Sequence, residues 1–167
     1  MTTHEQFMQS ALQQAREALK AGDFPVGCVI ELDGRIVATG RRSNTNGRVN
    51  EIDHAEITAL RDCIISGKVK DMGEVTIYST MEPCLMCFST LLVNGVRRFV
   101  YGYEDAMGGG TNLPLTSLSP LYRDMQPTII GAVLREESMA LFKEFFSSPG
   151  CRYLQDTLLA TYTLQHA

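Results

Sequence analysis

Two short stretches of the chain carry residue types that hold metals: His54-Ala55-Glu56 and Pro83-Cys84-Leu85-Met86-Cys87. Each opens a segment of helical pattern directly after a loop or strand. Residues three apart on a helix share a face, so Cys84 and Cys87 aim both sulfurs at one point. Pro83 suits a helix start, where its missing N–H costs nothing. The positive end of the helix dipole there favours thiolate over thiol. Two thiolates and the His54 imidazole make three zinc ligands and leave a fourth position for water. That is the arrangement of catalytic zinc, whereas structural zinc closes all four positions. Little else in the chain offers to close the fourth. His4 and His166 lie near the ends, and Cys28, Cys63 and Cys151 stand alone, as small buried hydrophobes do.

Glu56 stands two residues after His54, so it leaves the first helical turn in a different direction. It is placed to work beside a zinc-activated water rather than on the metal, taking the water's proton and handing it on. Each feature alone has a plainer reading. A first-turn glutamate answers the helix dipole, a lone histidine starts a helix or fills a core, and a CxxC serves redox pairs and zinc knuckles. Together the two motifs match the zinc-deaminase signature H-x-E followed by P-C-x-x-C.

The elements that must position these residues read as follows. Residues 5–21 have apolar positions at helical spacing, stopped by Gly22. Val26–Leu32 and Ile36–Thr39 flank Asp33-Gly34 as a hairpin. A polar loop, 40–53, leads to a helix from His54 to Gly67. Glu74–Ser79 is a buried-type strand, Cys84–Val93 a helix and Arg97–Tyr101 a strand. A loop of roughly 25 residues, 102–126, is longer than ordinary connections, a mark of function or of partial order. Pro127–Val133 reads as a last strand, Glu136–Phe146 as an amphipathic helix and Cys151–Gln165 as a final helix. The order predicts an α/β fold. The 167 residues, 44% hydrophobic, fit one domain over 1–167, with a core of about 5–146 and a helical extension over 147–167. The net charge of −4 argues against a broad basic face for nucleic acid. No apolar run spans a membrane, no secretory signal opens the chain, and five cysteines fit reduced thiols in a cytoplasm.

The chain resembles the cytidine deaminase-like superfamily, in the branch of bacterial tRNA adenosine deaminases and free-base deaminases. Phe24-Pro25-Val26-Gly27-Cys28-Val29-Ile30 is similar to that family's strand beside the substrate pocket. His54-Ala55-Glu56-Ile57-Thr58-Ala59-Leu60 and Thr80-Met81-Glu82-Pro83-Cys84-Leu85-Met86-Cys87 resemble its two motifs, and Gly131–Glu137 with Phe145-Phe146 resembles its tRNA-acting members. The resemblance implies a three-layer α-β-α fold with a five-stranded mixed sheet, assembled as a homodimer. It implies zinc on His54, Cys84 and Cys87, Glu56 as proton shuttle, and the backbone N–H groups of Ala55 and Cys84 orienting the attacking and forming oxygens. Pro25, Val26 and Gly27 would border the substrate.

Departures from the family pattern bear on the substrate. The family's base-binding asparagine lies eleven residues before the motif histidine; here that count reaches Ser43, with Asn44 one residue nearer, so either would serve. The lysine-bearing loop of the tRNA-acting members corresponds to Glu104–Asn112, which has no lysine, and their basic C-terminal end is missing. Phosphate contacts need cations. The leading expectation is therefore deamination of a small amino-heterocycle, a nucleobase or nucleoside, with release of ammonia. The alternative is adenosine-to-inosine editing of tRNA, helped by Arg41, Arg42, Arg48, Arg97 and Arg98. Readings of another class are a non-catalytic zinc-stabilised interaction domain, which predicts a fourth protein ligand, and a thiol redox protein, which has no need of Glu56.

Overall fold

The computed structural model describes residues 1–166; Ala167, the end of the predicted extension, lies outside the described residues. Helix α1 (Thr3–Lys20) starts at Thr2, whose hydroxyl accepts from the Glu5 N–H at 3.2 Å while the Glu5 carboxylate accepts from the Thr2 N–H at 2.6 Å. Its apolar stripe of Phe7, Met8, Ala11, Leu12, Ala15 and Ala18 is buried. Strands β1 (Gly27–Leu32) and β2 (Arg35–Arg41) form the expected hairpin. Its turn puts Asp33 and Gly34 at φ of 51° and 78°, the left-handed pair that a two-residue hairpin turn demands.

Helix α2 (Ala55–Ser66) ends on Gly67 at φ 63°. Strand β3 (Thr76–Met81), buried along its length, leads into α3 (Leu85–Val93), then β4 (Arg98–Tyr103). The long loop contains a 3₁₀ turn at Leu115–Ser117 and a short helix α4 (Pro120–Arg123). The last strand β5 is only Thr128–Ile130, followed by α5 (Arg135–Ser147) and α6 (Leu158–Gln165). The sheet order is β2-β1-β3-β4-β5, antiparallel across the first three strands and parallel from β3 to β5. This is the expected α/β architecture, a five-stranded mixed sheet flanked by helices. Val29, Tyr78 and Val100 face α1, while Cys28, Ile30, Ile77 and Phe99 face the core under α2 and α3. Parallel β3 and β4 therefore deliver the starts of α3 and of the long loop to the same edge of the sheet as α2.

The C-terminal end departs from expectation. No helix runs from Cys151: residues 148–157 form an irregular segment, and α6 begins only after Thr157, whose hydroxyl caps it by accepting from the Ala160 N–H at 3.3 Å. Leu154 and Asp156 take φ of 54° and 63°, which a right-handed helix does not admit. Contacts far along the chain override local propensity here. The Tyr153 ring packs edge-on against Phe24 at 5.3 Å and its hydroxyl is held by Glu51 and Arg42.

Helix α6 is tied to the sheet through Glu104, whose carboxylate accepts from Arg135 Nε at 2.8 Å and from the Tyr162 hydroxyl at 2.7 Å. The Arg135 guanidinium pulls the Glu104 carboxyl down to about 2 from its ordinary 4.5. As pH falls, the unfolded chain takes up this proton first. The stabilisation is therefore complete above the unfolded value and is lost as pH drops through 4.5 toward about 2. Arg135→Gln is expected to remove roughly 1 kcal/mol at neutral pH and to flatten the acid limb of stability, read by denaturant melts between pH 6 and pH 2 at steps of about one unit. An unchanged acid limb would show that the pair contributes nothing.

Candidate active site

The two helix starts that carry the motifs break the usual capping rule. His54 and Cys84 occupy the cap positions of α2 and α3, with extended backbones at φ −66°, ψ 159° and φ −67°, ψ 169°. Ser, Thr, Asp or Asn ordinarily stands there and bonds the exposed N–H groups. Neither His54 nor Cys84 makes a side-chain capping bond. Both side chains turn toward each other instead. His54 Nδ1 lies 3.5 Å from the Cys84 sulfur and 3.5 Å from the Cys87 sulfur, which is supplied by the first turn of α3. The ligand atoms of the three residues all lie within 4.8 Å of one another, and among the described residues the cluster comprises these three.

One imidazole nitrogen and two sulfurs converging on a point form a borderline-soft donor set that fits tetrahedral zinc. The local electrostatics prepare it. Donation from Cys87 and from His54 pulls the Cys84 thiol well below its ordinary value, which favours the thiolate there. The bond to that thiolate and burial push the Cys87 thiol up, a repulsion that a divalent cation reverses. Burial works against a charged His54, but its bond to Cys84 and the nearby Glu56 outweigh it and hold the imidazole up.

Glu56 is 3% exposed and accepts from the Ser79 hydroxyl of β3 at 3.2 Å; Cys87 Sγ lies 3.6 Å from its other oxygen. Burial pushes its carboxyl up from the ordinary value. A buried carboxyl thus stands beside the ligand cluster and is not one of its three members. Ala55, between the two, is fully buried and opens α2, where its N–H has no partner within the helix.

These groups face a cavity of about 250 Å³. Phe24, Val26 and Arg42 line one side of it, Asp105 and Met107 come from the long loop, and Tyr153, Leu154 and Leu159 come from the C-terminal segment. Of the residues expected to border the substrate, Val26 is on the wall. Pro25 and Gly27 are buried but do not line it. Gly27 is instead pressed on α1, where a Cβ would meet the Ala11 carbonyl at 2.2 Å. Ser43 is exposed and off the wall; Asn44 is also off it, its amide N–H donating to the Asp53 carbonyl at 3.3 Å while its Oδ1 is buried without a partner. Arg42 lines the cavity beside Val26. Its N–H bonds the Val26 carbonyl at 3.0 Å, extending the hairpin by one residue, and its side chain is 2% exposed. Ala38, Gly40 and Arg42 are buried while Thr39 and Arg41 are exposed, so the period-two alternation of β2 was the signal that pointed to Arg42. Glu51, Ser79, Asp105 and Tyr153 lacked such a signal.

The glycine run is a close approach rather than a loose turn. A Cβ on Gly110 would meet Leu85 Cα at 2.6 Å and the Cys84 carbonyl carbon at 2.8 Å, and the Gly110 N–H bonds the Pro83 carbonyl at 2.9 Å. Glu82 pins the same loop by accepting from the N–H groups of Asp105 and Thr111 at 3.2 and 3.3 Å.

With this geometry in place, the comparisons with known proteins define the class. Residues 1–103 match the family described as the cytidine and deoxycytidylate deaminase zinc-binding region. The chain belongs to that family; it is a deaminase, its metal is zinc, and the redox and purely structural readings fall away. The tRNA-specific adenosine deaminase of Agrobacterium fabrum (strain C58 / ATCC 33970) is 32% identical over 148 residues, 87% of this chain and 95% of that relative. A solved structure from studies of A-to-I editing by tRNA:A34 deaminases superposes with a TM-score of 0.66 at 29% identity, over 81% of this chain and 98% of that one. The guanine deaminase of Nitrosomonas europaea superposes with a TM-score of 0.69 at 22% identity, over 84% of this chain and 83% of that one, a likeness in fold alone.

Proposed function

We propose that this chain hydrolytically deaminates an adenine-type ring, and that adenosine in a tRNA is its substrate. The observation that carries the reading is the ligand cluster with Glu56 beside it, in a chain matched nearly end to end by tRNA-specific adenosine deaminases. The relatives thus favour tRNA over the free heterocycle that the missing lysines suggest. His54, Cys84 and Cys87 hold the zinc, which supplies the Lewis acidity that makes water a nucleophile near neutral pH. Glu56 would take the first proton of the attacking water on its carboxylate and deliver it to the ring nitrogen. It would then take the second proton from the new hydroxyl on the ring carbon and deliver it to the amino group, which leaves as ammonia while the C=O bond forms. The small cavity takes a single base, so a tRNA presents one nucleotide flipped out of its stack. The reading includes a homodimer in the cytoplasm, supported by the exposed Ile64 and Ile65 of α2, by Leu85, Met86 and Val93 of α3, and by five free thiols.

A second reading, a free nucleobase or nucleoside, is favoured by one observation: Tyr153, Leu154 and Leu159 of the C-terminal segment form part of the pocket wall and narrow the entrance for a polymer. The test is ammonia release and inosine formation from a tRNA anticodon stem-loop, against free bases, nucleosides and mononucleotides. Turnover of the stem-loop, with little from free adenosine, is the expected result. Turnover of only the small molecules transfers the assignment to the second reading, and ammonia from neither arm defeats both.

A further inference from the structure

The zinc-ligating nitrogen of His54 faces the two sulfurs, and its other ring nitrogen faces a charged cluster drawn from the loop before α2, the end of β2 and the distant C-terminal segment. His54 Nε2 lies 3.1 Å from Glu51 Oε2. The same oxygen accepts from Arg42 Nη2 at 3.1 Å. The Tyr153 hydroxyl lies 3.0 Å from both Glu51 oxygens and 2.9 Å from Arg42 Nη2. Arg42 itself is fixed, buried to 2% exposure, with its guanidinium 5.5 Å from the Tyr153 ring centre. Glu51 is the outermost member, with its side chain 57% exposed, so only these partners hold its carboxylate against His54.

A metal-ligating histidine is oriented and made a better donor by the acceptor on its second nitrogen, and losing that acceptor typically weakens metal binding about 10- to 100-fold. Glu51 has that geometry here. Tyr153 makes the arrangement unusual, because it arrives on the irregular segment 148–157 that walls the pocket. Tyr153 and Leu154 also line a second cavity of about 800 Å³ on the other side, with Leu19, Asn46, Val49 and Phe145, so the segment packs on the edge of the core with open space on two sides of it. Its docking is therefore a local event with its own equilibrium.

We propose that Glu51 is the positioning residue of the zinc ligand His54 and that Tyr153, with Arg42, holds Glu51 in register, so that closure of the C-terminal segment over the pocket and zinc affinity are one linked equilibrium. Linkage is reciprocal: a docked segment raises zinc affinity, and bound zinc holds the segment docked. The inference rests on the metal site and not on which substrate is turned over, so it stands or falls apart from the tRNA reading. A cluster that merely staples the 43–53 loop would change stability and leave zinc affinity alone.

The experiment uses the full chain and zinc alone. Zinc dissociation constants are measured by chelator competition for the wild type, Glu51→Gln, Tyr153→Phe and the double variant. Tyr162→Phe, whose hydroxyl bonds Glu104 away from the site, is the control. Glu51→Gln is expected to weaken zinc about 10- to 100-fold, Tyr153→Phe by a smaller factor in the same direction, and the double variant no more than Glu51→Gln alone, since Tyr153 acts through Glu51. Hydrogen exchange of 148–157 should slow when zinc is added to the wild type and not when it is added to Tyr153→Phe. Wild-type zinc affinity in both single variants, or exchange of the segment that ignores zinc, overturns the proposal. Tyr153→Phe keeps the ring that packs on Phe24, so the measurement does not depend on a disrupted fold.

Discussion

Glu56→Gln is expected to lower kcat by about 10²- to 10⁴-fold while zinc content and fold stay as in the wild type. Metal binding and proton transfer fall to different side chains here, though the two lie close in sequence. Glu56 is two residues from a zinc ligand, yet its oxygens face Ser79 and the Cys87 sulfur, and it is not one of the three clustered ligands. The amide keeps the size and still accepts the Ser79 hydroxyl, so packing is undisturbed. The amide cannot take up a proton as the carboxyl does, and burial pushes that carboxyl up from its ordinary value. Metal analysis, a thermal melt and single-turnover ammonia release on the same preparation separate the effects. Loss of zinc in the variant would make Glu56 a ligand; full activity would remove the proton shuttle from the reaction.

Chemistry was more legible in the sequence than substrate contact, for a physical reason. A zinc site needs particular residue types at helical spacing, so His54, Cys84, Cys87 and Glu56 announce themselves through local geometry. The element order was legible too, because α1, α2 and α5 carry 3.6-residue apolar periods and β3 is a short uncharged run of β-branched and aromatic character between turn signals. Counting eleven residues back from His54 could not find Arg42, since the loop length between β2 and α2 is free to vary while the strand alternation is not. The Glu51–Tyr153 contact spans 102 positions and leaves no periodic trace. The final helix was drawn too long because propensity favours helix from Cys151, whereas Tyr153 is held by partners that only the folded chain assembles. Gly110 is required by its close approach to the start of α3, a contact that composition alone does not show.

Gly40→Ala is expected to destabilise the chain by about 3 kcal/mol, the upper part of the usual range for overpacking, and to weaken zinc with it. No φ constraint is involved, for the position is an ordinary one in β2; the obstacle is space. A Cβ there would lie 2.1 Å from the Ala55 carbonyl oxygen and 2.6 Å from the Ala59 nitrogen. Both are backbone atoms in the first turns of α2, so no side-chain rotation relieves the clash and the helix start must move off the sheet. Ala55 lies between His54 and Glu56, so that movement carries both away from Cys84, Cys87 and Ser79. Gly34→Ala supplies the contrast. It has open space but a φ of 78°, so its cost is about 1 kcal/mol of backbone strain in a turn remote from the metal, with wild-type zinc affinity. Denaturant midpoints in chelator and zinc titrations of the two variants read both quantities. A Gly40→Ala protein with wild-type midpoint and affinity would mean that the α2–β2 contact does not set the position of the site.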